Sequence, residues 1–226
     1  MLTREKILFN PPELGCVLSL TGLPQSGSVI LDRSPYGNNG TITGATWTQT
    51  EQGLWYLDLN SATPDYINCG TGSSLNIAGN LTILAWIKPT DVTTAARIAS
   101  NGNYNNYGFE LFLQSSELRF ATYNTGVHPT SESTASLTTN TWQLVGVSLR
   151  GSTATLTRNG VNISDVQANH ASIGSSSKPF VLGIYANDLS SGPLDGGIAL
   201  VVVLNTNKSI PYIPSFYNET RHLFGV

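Results

Sequence analysis

The sequence predicts an all-β protein that folds as an antiparallel β-sandwich, a jelly roll of two packed sheets. Short segments of β-branched and aromatic residues recur along the chain between turn-rich stretches. The chain contains 22 Gly, 11 Pro and a single Met, a composition that argues against a helical bundle. Its 226 residues show no internal repeat or composition break, so we expect one large sandwich domain.

Each predicted strand is a β-branched, aromatic or aliphatic run bounded by turn residues. The dipeptide Asn159-Gly160 predicts a hairpin, because a type I′ turn needs two residues with positive φ. Residues 114–117 predict a second hairpin, and residues 214–223 predict a short terminal helix with Pro214 near its start. The predicted strands are 16–20, 55–59, 66–69, 81–88, 96–100, 107–113, 118–123, 142–149, 154–158, 161–166, 180–184 and 198–204.

Charge and hydropathy exclude two classes of partner. Charged residues are only 11% of the chain and the net charge is −3, so no basic surface is available to neutralise nucleic-acid phosphates. The longest strongly apolar run, residues 198–204, is far shorter than the ~20 residues of a membrane helix, and membrane insertion is not expected. Residues 10–13 (Asn-Pro-Pro-Glu) interrupt the early apolar run, so we expect no signal peptide.

Four side chains are predicted to be buried. Cys16 and Cys69, the only cysteines, lie beside apolar residues of predicted strands, which favours two buried free thiols over a disulfide. Trp86 and Trp142 lie inside apolar strands, a position typical of core packing rather than of exposed sugar platforms.

Seven short motifs follow one another in a characteristic order. They are the loop 32–40 (DRSPYGNNG), residues 57–59 (LDL) with 66–68 (YIN), 81–89 (LTILAWIKP), 142–145 (WQLV), 157–161 (TRNGV), 180–183 (FVLG) and 194–198 (LDGGI). Between Gly15 and Leu204, this series resembles the laminin-G-like domains of the concanavalin A-like superfamily. The resemblance implies a concanavalin A-like jelly roll, a scaffold that hosts lectins, adhesion modules and some glycosidases, so it does not decide the function.

Two departures from the family pattern bear on its sites. Where the family has an acidic pair after the last isoleucine, this chain has Ala199 and Leu200, which weakens the family's calcium site. The family's C-terminal Leu-Ser-x-Glu-Glu-Ile signal is replaced by residues 210–214 (IPYIP), which indicates a reshaped C-terminal contact surface.

No catalytic residue is predicted. Glucanases on this fold use a Glu-x-Asp-x-x-Glu strand that places nucleophile and acid on one face, and neither Glu110 nor Glu132 has such neighbours. Pairing around residues 114–117 places Glu110 diagonal to Arg119, which predicts a solvated ion pair. The three histidines lie in separate segments, and no nucleophile–base pair is visible.

The loop 32–40 is a candidate calcium site. Calcium prefers carboxylate and carbonyl oxygens from a tight loop, which Asp32 and the carbonyls of Tyr36, Asn38 and Gly40 would supply. The alternative is that Asp32 caps its own turn through an Asx hydrogen bond. No other cofactor is expected.

Three loops, residues 101–107, 123–128 and 185–188, combine aromatic rings with amides and carboxylates. The rings suit the apolar face of a pyranose, and the amides and carboxylates suit its hydroxyls. Because Asn, Gly and Tyr are also ordinary loop residues, a purely structural role is the alternative. The residues predicted to contact a glycan are Asn103, Tyr104, Tyr107, Tyr123, His128, Tyr185 and Asp188.

Residues 1–14 form a predicted N-terminal arm ahead of the domain 15–226. Its apolar side chains are suited to a neighbour's sheet edge or groove, and folding back onto its own sandwich is the alternative. The residues expected to make this contact are Leu2, Ile7, Leu8 and Phe9.

Low charge, the arm and the absence of a recognised leader together predict a non-enzymatic structural or adhesion module at the surface of a larger assembly. By analogy with the family, the expected setting is a phage virion, as a capsid-decoration or tail protein. The expected partners are other copies of the chain, other structural proteins and cell-surface glycans. A free lectin and a diverged glycoside hydrolase are the alternatives.

Overall fold

Two antiparallel sheets enclose the main apolar core of the protein, in a computed structural model that describes residues 14–21, 27–104, 106–170, 173–208 and 212–226. The predicted β-sandwich is therefore confirmed. The arm residues Leu2, Ile7, Leu8 and Phe9 lie outside the described residues, so their role stays a prediction. None of the described helices is long and apolar enough to cross a membrane.

The described strands divide between two sheets. In chain order the strands are β1 (Cys16–Leu20), β2 (Val29–Ile30), β3 (Gly40–Thr43), β4 (Thr46–Gln49), β5 (Trp55–Leu59), β6 (Tyr66–Asn68), β7 (Leu81–Pro89), β8 (Ala96–Gly102), β9 (Tyr107–Gln114), β10 (Glu117–Asn124), β11 (Thr130–Ser133), β12 (Gln143–Arg150), β13 (Thr153–Arg158), β14 (Val161–Asn162), β15 (Ser164–Val166), β16 (Val181–Leu182) and β17 (Gly196–Leu204). The first sheet has the order β14-β13-β12-β7-β17-β5-β4, with β1 also beside β17, and the second sheet has the order β15-β11-β10-β9-β8-β16-β6-β3-β2.

Side chains alternate between the two faces of each strand, and those on the inner faces fill the space between the sheets. In β7, Ile83 and Ile87 belong to the main core, whereas the intervening Leu84 and Trp86 face away from it. The outer face of the first sheet is covered by α1 (Tyr212–Thr220), which continues as a 3₁₀ turn over Arg221–Leu223. The predicted C-terminal helix is therefore present.

Trp86 packs between the first sheet and the C-terminal segment rather than between the two sheets. Its ring stacks on Phe224 at 4.1 Å, and its Nε1 donates a hydrogen bond to Thr220 Oγ1 at 3.0 Å. Trp142 joins the same cluster. Core packing of both tryptophans is confirmed, and the cluster gives the chain a second core on the outer side of the sheet.

The departure at Ala199 and Leu200 coincides with an irregularity in β17. The register with β7 shifts between Ala199 and Val202, and Leu200 has a φ of 44°. The strand pairs with β5 before this bulge and with β1 after it. Both apolar side chains are buried beneath the C-terminal segment, which explains why no acidic pair stands here.

Both predicted hairpins are confirmed in detail. Asn159 and Gly160 have φ of 51° and 80°, and Ser115 and Ser116 have φ of 55° and 63°, as a two-residue type I′ turn requires. The predicted strand 161–166, in contrast, is interrupted at Ile163. Its two halves, β14 and β15, pair in different sheets, and the Ile163 N–H between them donates a hydrogen bond to Leu156 O of β13.

Cys16 and Cys69 are buried free thiols, as predicted. Burial raises the pKa of Cys69 far above its usual range. Neither thiol is therefore positioned for thiolate chemistry.

His170 is a buried polar link beside the second sheet. Its Nδ1 lies 3.0 Å from Thr122 Oγ1 and its Nε2 lies 2.8 Å from Ser131 Oγ, in a setting where its side chain is nearly inaccessible. A Ser–His contact therefore exists that the sequence did not reveal. Because both residues are buried, this contact serves the fold rather than nucleophilic catalysis.

We expect His170 to make the fold acid-sensitive. Burial lowers its pKa from 6.5 to about 4, so the unfolded chain binds the proton more tightly. Stability is lost as the pH falls below 6.5, by up to about 3 kcal/mol near pH 4. Urea denaturation from pH 7 to pH 4 measures this. His170→Gln should flatten the profile and His222→Gln should not; equal profiles for both variants would contradict the assignment.

Candidate functional site

The outer face of the second sheet carries an aromatic and polar cluster at the hairpin of β9 and β10. Alternation in β9 sends Phe109 and Leu111 into the core, which leaves Glu110 and Phe112 on the other face. Ala121 and Tyr123 of β10 form an apolar cluster with Phe112 on this face. No helix covers the cluster within the described part of the chain, in contrast to the first sheet.

The three loops that the sequence singled out meet above this cluster. The Thr125 N–H donates to Asn106 O at 2.6 Å, which ties the β10–β11 loop to the β8–β9 loop. The Tyr104 N–H donates to the Tyr185 hydroxyl at 2.8 Å, which ties the β8–β9 loop to the β16–β17 loop. Segments 81 residues apart in the chain are thus joined at one point.

Tyr104 is the centre of the assembled site. Its hydroxyl lies 2.9 Å from His128 Nε2, and the two ring centroids are 4.2 Å apart. Its ring also lies 6.0 Å from that of Tyr123, which is buried beneath it. Tyr104 is 48% exposed, so one part of the ring is held by neighbours and the rest faces solvent.

A buried ion pair supports the aromatic residues from below. Arg97 Nε donates to Glu110 Oε2 at 3.0 Å, and the Glu110 side chain is fully inaccessible. The Arg97 guanidinium also lies over Tyr185, at 5.1 Å from its ring centroid, and over Phe112, at 5.4 Å. Arg97 is a site residue that the sequence did not single out.

The predicted solvated pair between Glu110 and Arg119 is wrong. The register is as expected, with Glu110 opposite Ala121 and Arg119 opposite Phe112, but Glu110 pairs with Arg97 on the other neighbouring strand, β8. Arg119 instead contacts Glu117 at 2.6 Å and Glu132 at 3.3 Å.

The electrostatics of the cluster follow from its burial. Burial raises the pKa of Glu110, and the adjacent Arg97 guanidinium opposes this rise. Burial and the nearby Glu110 carboxylate raise the pKa of Tyr123 far above its usual range. Burial also raises the pKa of Tyr185. Both phenols therefore stay protonated and present hydroxyl groups that donate and accept hydrogen bonds.

The remaining predicted glycan residues lie at the edges of this cluster. Asn103 in the β8–β9 loop and Tyr107 at the start of β9 line a separate pocket with residues 175–177. Asp188 is fully exposed, and its Oδ1 accepts hydrogen bonds from the Ser190 backbone and hydroxyl at 3.1 and 2.6 Å. Asp188 thus caps its own turn.

The candidate calcium loop has a carboxylate surrounded by donors. Asp32 Oδ1 accepts from the Ser19 and Ser34 N–H groups, both at 2.8 Å, and Oδ2 accepts from Ser34 Oγ at 2.6 Å and the Asn38 N–H at 2.7 Å. Gly40 lies in β3, where its backbone pairs with Ile30. Four donors around one carboxylate do not fit a cation, and the geometry favours the capping alternative.

A comparison with family models shows to which family the chain belongs. A laminin-G-type model, described as Concanavalin A-like lectin/glucanases superfamily, matches residues 60–210. The chain belongs to this superfamily. A search of curated proteins gives no match.

Several solved structures similar to this superfamily member are binding domains of toxins. The binding domain of Paraclostridial Mosquitocidal Protein 1 has a TM-score of 0.69 and 18% identity, over 91% of this chain and 52% of that one. The botulinum neurotoxin serotype G binding domain has a TM-score of 0.69 and 15% identity, over 91% and 51%.

A third similar structure is of botulinum neurotoxin type C, whose cell entry is dependent upon interaction with two ganglioside molecules. It has a TM-score of 0.66 and 14% identity, over 91% of this chain and 51% of that one. The chain thus spans about half the length of these structures. At these identities the likeness establishes the fold alone.

Proposed function

We propose that this chain is a non-enzymatic adhesion module that binds carbohydrate on the outer face of its second sheet. The convergence of three loops on Tyr104 is the observation that carries this proposal. A half-exposed ring offers a stacking surface for the apolar face of a sugar. The neighbouring imidazole of His128 and the amide of Asn106, both exposed, supply donors and acceptors for its hydroxyls.

The relatives support this proposal at the level of class. The superfamily is named for lectins as well as glucanases, and the similar solved structures are toxin binding domains. One of them concerns a toxin whose cell entry depends on gangliosides, which are glycan-bearing lipids.

The burial of Glu110 and its ion pair with Arg97 support binding rather than hydrolysis. Glycoside hydrolases need two accessible carboxyl groups across the scissile bond. Glu110 is fully buried and paired with Arg97, and Asp188 accepts two hydrogen bonds from Ser190. The Glu110 carboxyl group is therefore not accessible as an acid or nucleophile to a sugar above Tyr104.

We expect Tyr104→Ala to weaken glycan binding at least about tenfold, because a stacked aromatic ring contributes on the order of 1 kcal/mol or more beyond its buried area. Its melting temperature should change little, since the ring is half exposed. A glycan array followed by calorimetry on the best ligand measures this. Tyr36→Ala, which removes a tyrosine 56% exposed on another loop, is the matched control. Equal losses in both variants, or no glycan bound by the wild type, would overturn the proposal.

We propose the surface of a larger assembly, such as a phage virion, as the setting of this module. Leu2, Ile7, Leu8 and Phe9 are the residues expected to dock on a neighbouring subunit. Light scattering of the full chain should give a mass above that of a monomer, and deletion of residues 2–14 should reduce it to one. A full chain that is already monomeric at high concentration would contradict this expectation and leave a free lectin.

A further inference from the structure

A pocket of about 270 Å³ adjoins the Tyr104 platform on the side of the β8–β9 loop. One wall is formed by Asn103, Asn106 and Tyr107, and the other by residues 175–177. Asn103, which lines the pocket, immediately precedes Tyr104 in the chain, so the Cα atoms of the two residues are about 3.8 Å apart.

The serine wall of this pocket is held in place by side chains outside it. Asn76 Nδ2 donates to Ser175 Oγ at 2.6 Å, and Asn76 Oδ1 accepts from the Ser176 N–H at 2.8 Å. At Gly174, an added Cβ would lie 1.8 Å from Cδ1 of the Tyr107 ring, so only glycine permits this close packing of the two walls. The pocket is therefore preformed, which lowers the entropic cost of binding.

The lining residues specify the chemistry of an occupant. All six carry amide or hydroxyl groups, and none carries a charge. Asn101, which is only 2% exposed, lies beneath the same segment, with Nδ2 3.5 Å from Lys178 O. Its buried Oδ1 has no hydrogen-bond partner among the described residues. Such a lining suits a neutral molecule with many hydroxyl groups rather than an anion or an apolar ligand.

We infer that the carbohydrate site has two adjoining subsites and takes a neutral oligosaccharide of at least two units. One sugar ring stacks on Tyr104 and the next occupies the pocket between Asn106 and residue 177. This inference rests on the proposed function, and it adds the chain length and the charge of the ligand.

The test compares sugars of increasing length on wild-type protein and a pocket-filling variant. The probes are glucose with malto- and cello-oligosaccharides of two to six units, N-acetylglucosamine with its oligomers, and a sialylated trisaccharide as the anionic arm. Calorimetry should show affinity in one neutral series rising at least about tenfold from the monosaccharide to the trisaccharide. The sialylated probe should gain nothing over its neutral counterpart.

Ser177→Trp places an indole in the pocket from an exposed position. It should abolish the gain in affinity with chain length. Ser215→Trp, on an exposed serine of α1 against the other sheet, is the matched control and should keep the gain. Melting temperatures of both variants confirm folding.

The outcomes separate the two levels of the proposal. Absence of wild-type binding to every probe, and to the glycan array used for Tyr104, would overturn the proposed function itself. Binding that is sensitive to Tyr104→Ala but equal for all chain lengths, or a length gain that survives Ser177→Trp, would overturn the second subsite alone. Stronger binding of the sialylated probe would overturn the neutral ligand class.

Discussion

Replacement of Arg97 by Met is expected to lower the free energy of unfolding by about 3–5 kcal/mol at pH 7, because it leaves a buried charge without its partner. Glu110 is fully inaccessible, and its Oε1 has no hydrogen-bond partner among the described residues. Its charge is compensated mainly by the Arg97 guanidinium, with a smaller contribution from the Tyr123 hydroxyl. The substitution also removes the cation that lies over Tyr185 and Phe112. Equilibrium denaturation in urea measures the loss.

Two variants distinguish the effect of the unpaired Glu110 charge from the effect of the packing lost at Arg97. The double substitution Arg97→Met with Glu110→Leu removes both charges and should recover most of the lost stability, since an apolar pair of similar volume often replaces a buried ion pair without cost. Arg150→Met, at an exposed arginine, should have little effect. Equal losses in the single and double variants would contradict the explanation.

The pH dependence gives a second check on the same pair. Burial already raises the pKa of Glu110, and removal of Arg97 raises it further. A carboxyl group with a raised pKa binds protons more tightly in the folded state, so the stability it subtracts is recovered as the pH falls toward that pKa. The deficit of Arg97→Met should therefore shrink from pH 7 to pH 5, and a deficit that grows would contradict the assignment.

The part of the fold that the sequence predicts is the part with strong local signals. The hairpin of β9 and β10 is predicted with its register, because two apolar strands flank the short segment 114–117 and pairing around this turn fixes which residues lie opposite each other. The strands β2, β3, β4 and β11 were not predicted. They have only two to four residues, and β3, β4 and β11 are polar segments (GTIT, TWTQ, TSES). These three segments form strands because a neighbouring strand provides backbone N–H and C=O groups for them to pair with.

The candidate site, like the fold, is predicted by the sequence only in part. Loop composition pointed to Tyr104, His128 and Tyr185, but their meeting depends on bonds across 81 and 24 residues of sequence. The sequence predicts a partner for Glu110 within its own hairpin. Each central strand has two neighbouring strands, however, and the partner in the structure, Arg97, comes from β8. Contacts between non-consecutive strands leave no local signal in a single sequence.

The two outer faces of the sandwich explain why the site lies where it does. On the first sheet, apolar residues such as Leu84 and Trp86 are covered by α1 and Phe224. On the second sheet, Phe112 and Tyr123 are buried, and the Tyr104 ring above them is left half exposed. One outer face is thus covered by the C-terminal segment, and the other carries the proposed site.

Replacement of Asp32 by Ala is expected to lower the free energy of unfolding by about 4 kcal/mol, because four donors lose their acceptor in a nearly buried loop. Hydrogen bonds to a charged acceptor contribute about 1.5–3 kcal/mol each, and bonds within one network do not add fully. Asp32→Asn, which keeps one carbonyl oxygen, should lose about half as much. Thermal and urea denaturation measure both, with Asp165→Ala at an exposed aspartate as the control.

Chelation distinguishes this capping role from the calcium site expected from Asp32, Tyr36, Asn38 and Gly40. A ligand that binds only the folded state raises its stability by mass action, so a bound calcium ion would make the melting temperature fall on addition of EDTA. Because Asp32 already accepts four hydrogen bonds from N–H and O–H groups, we expect the wild-type melting curve to be the same with and without EDTA. An EDTA-dependent fall that is present in the wild type and lost in Asp32→Asn would instead assign a calcium ion to this loop.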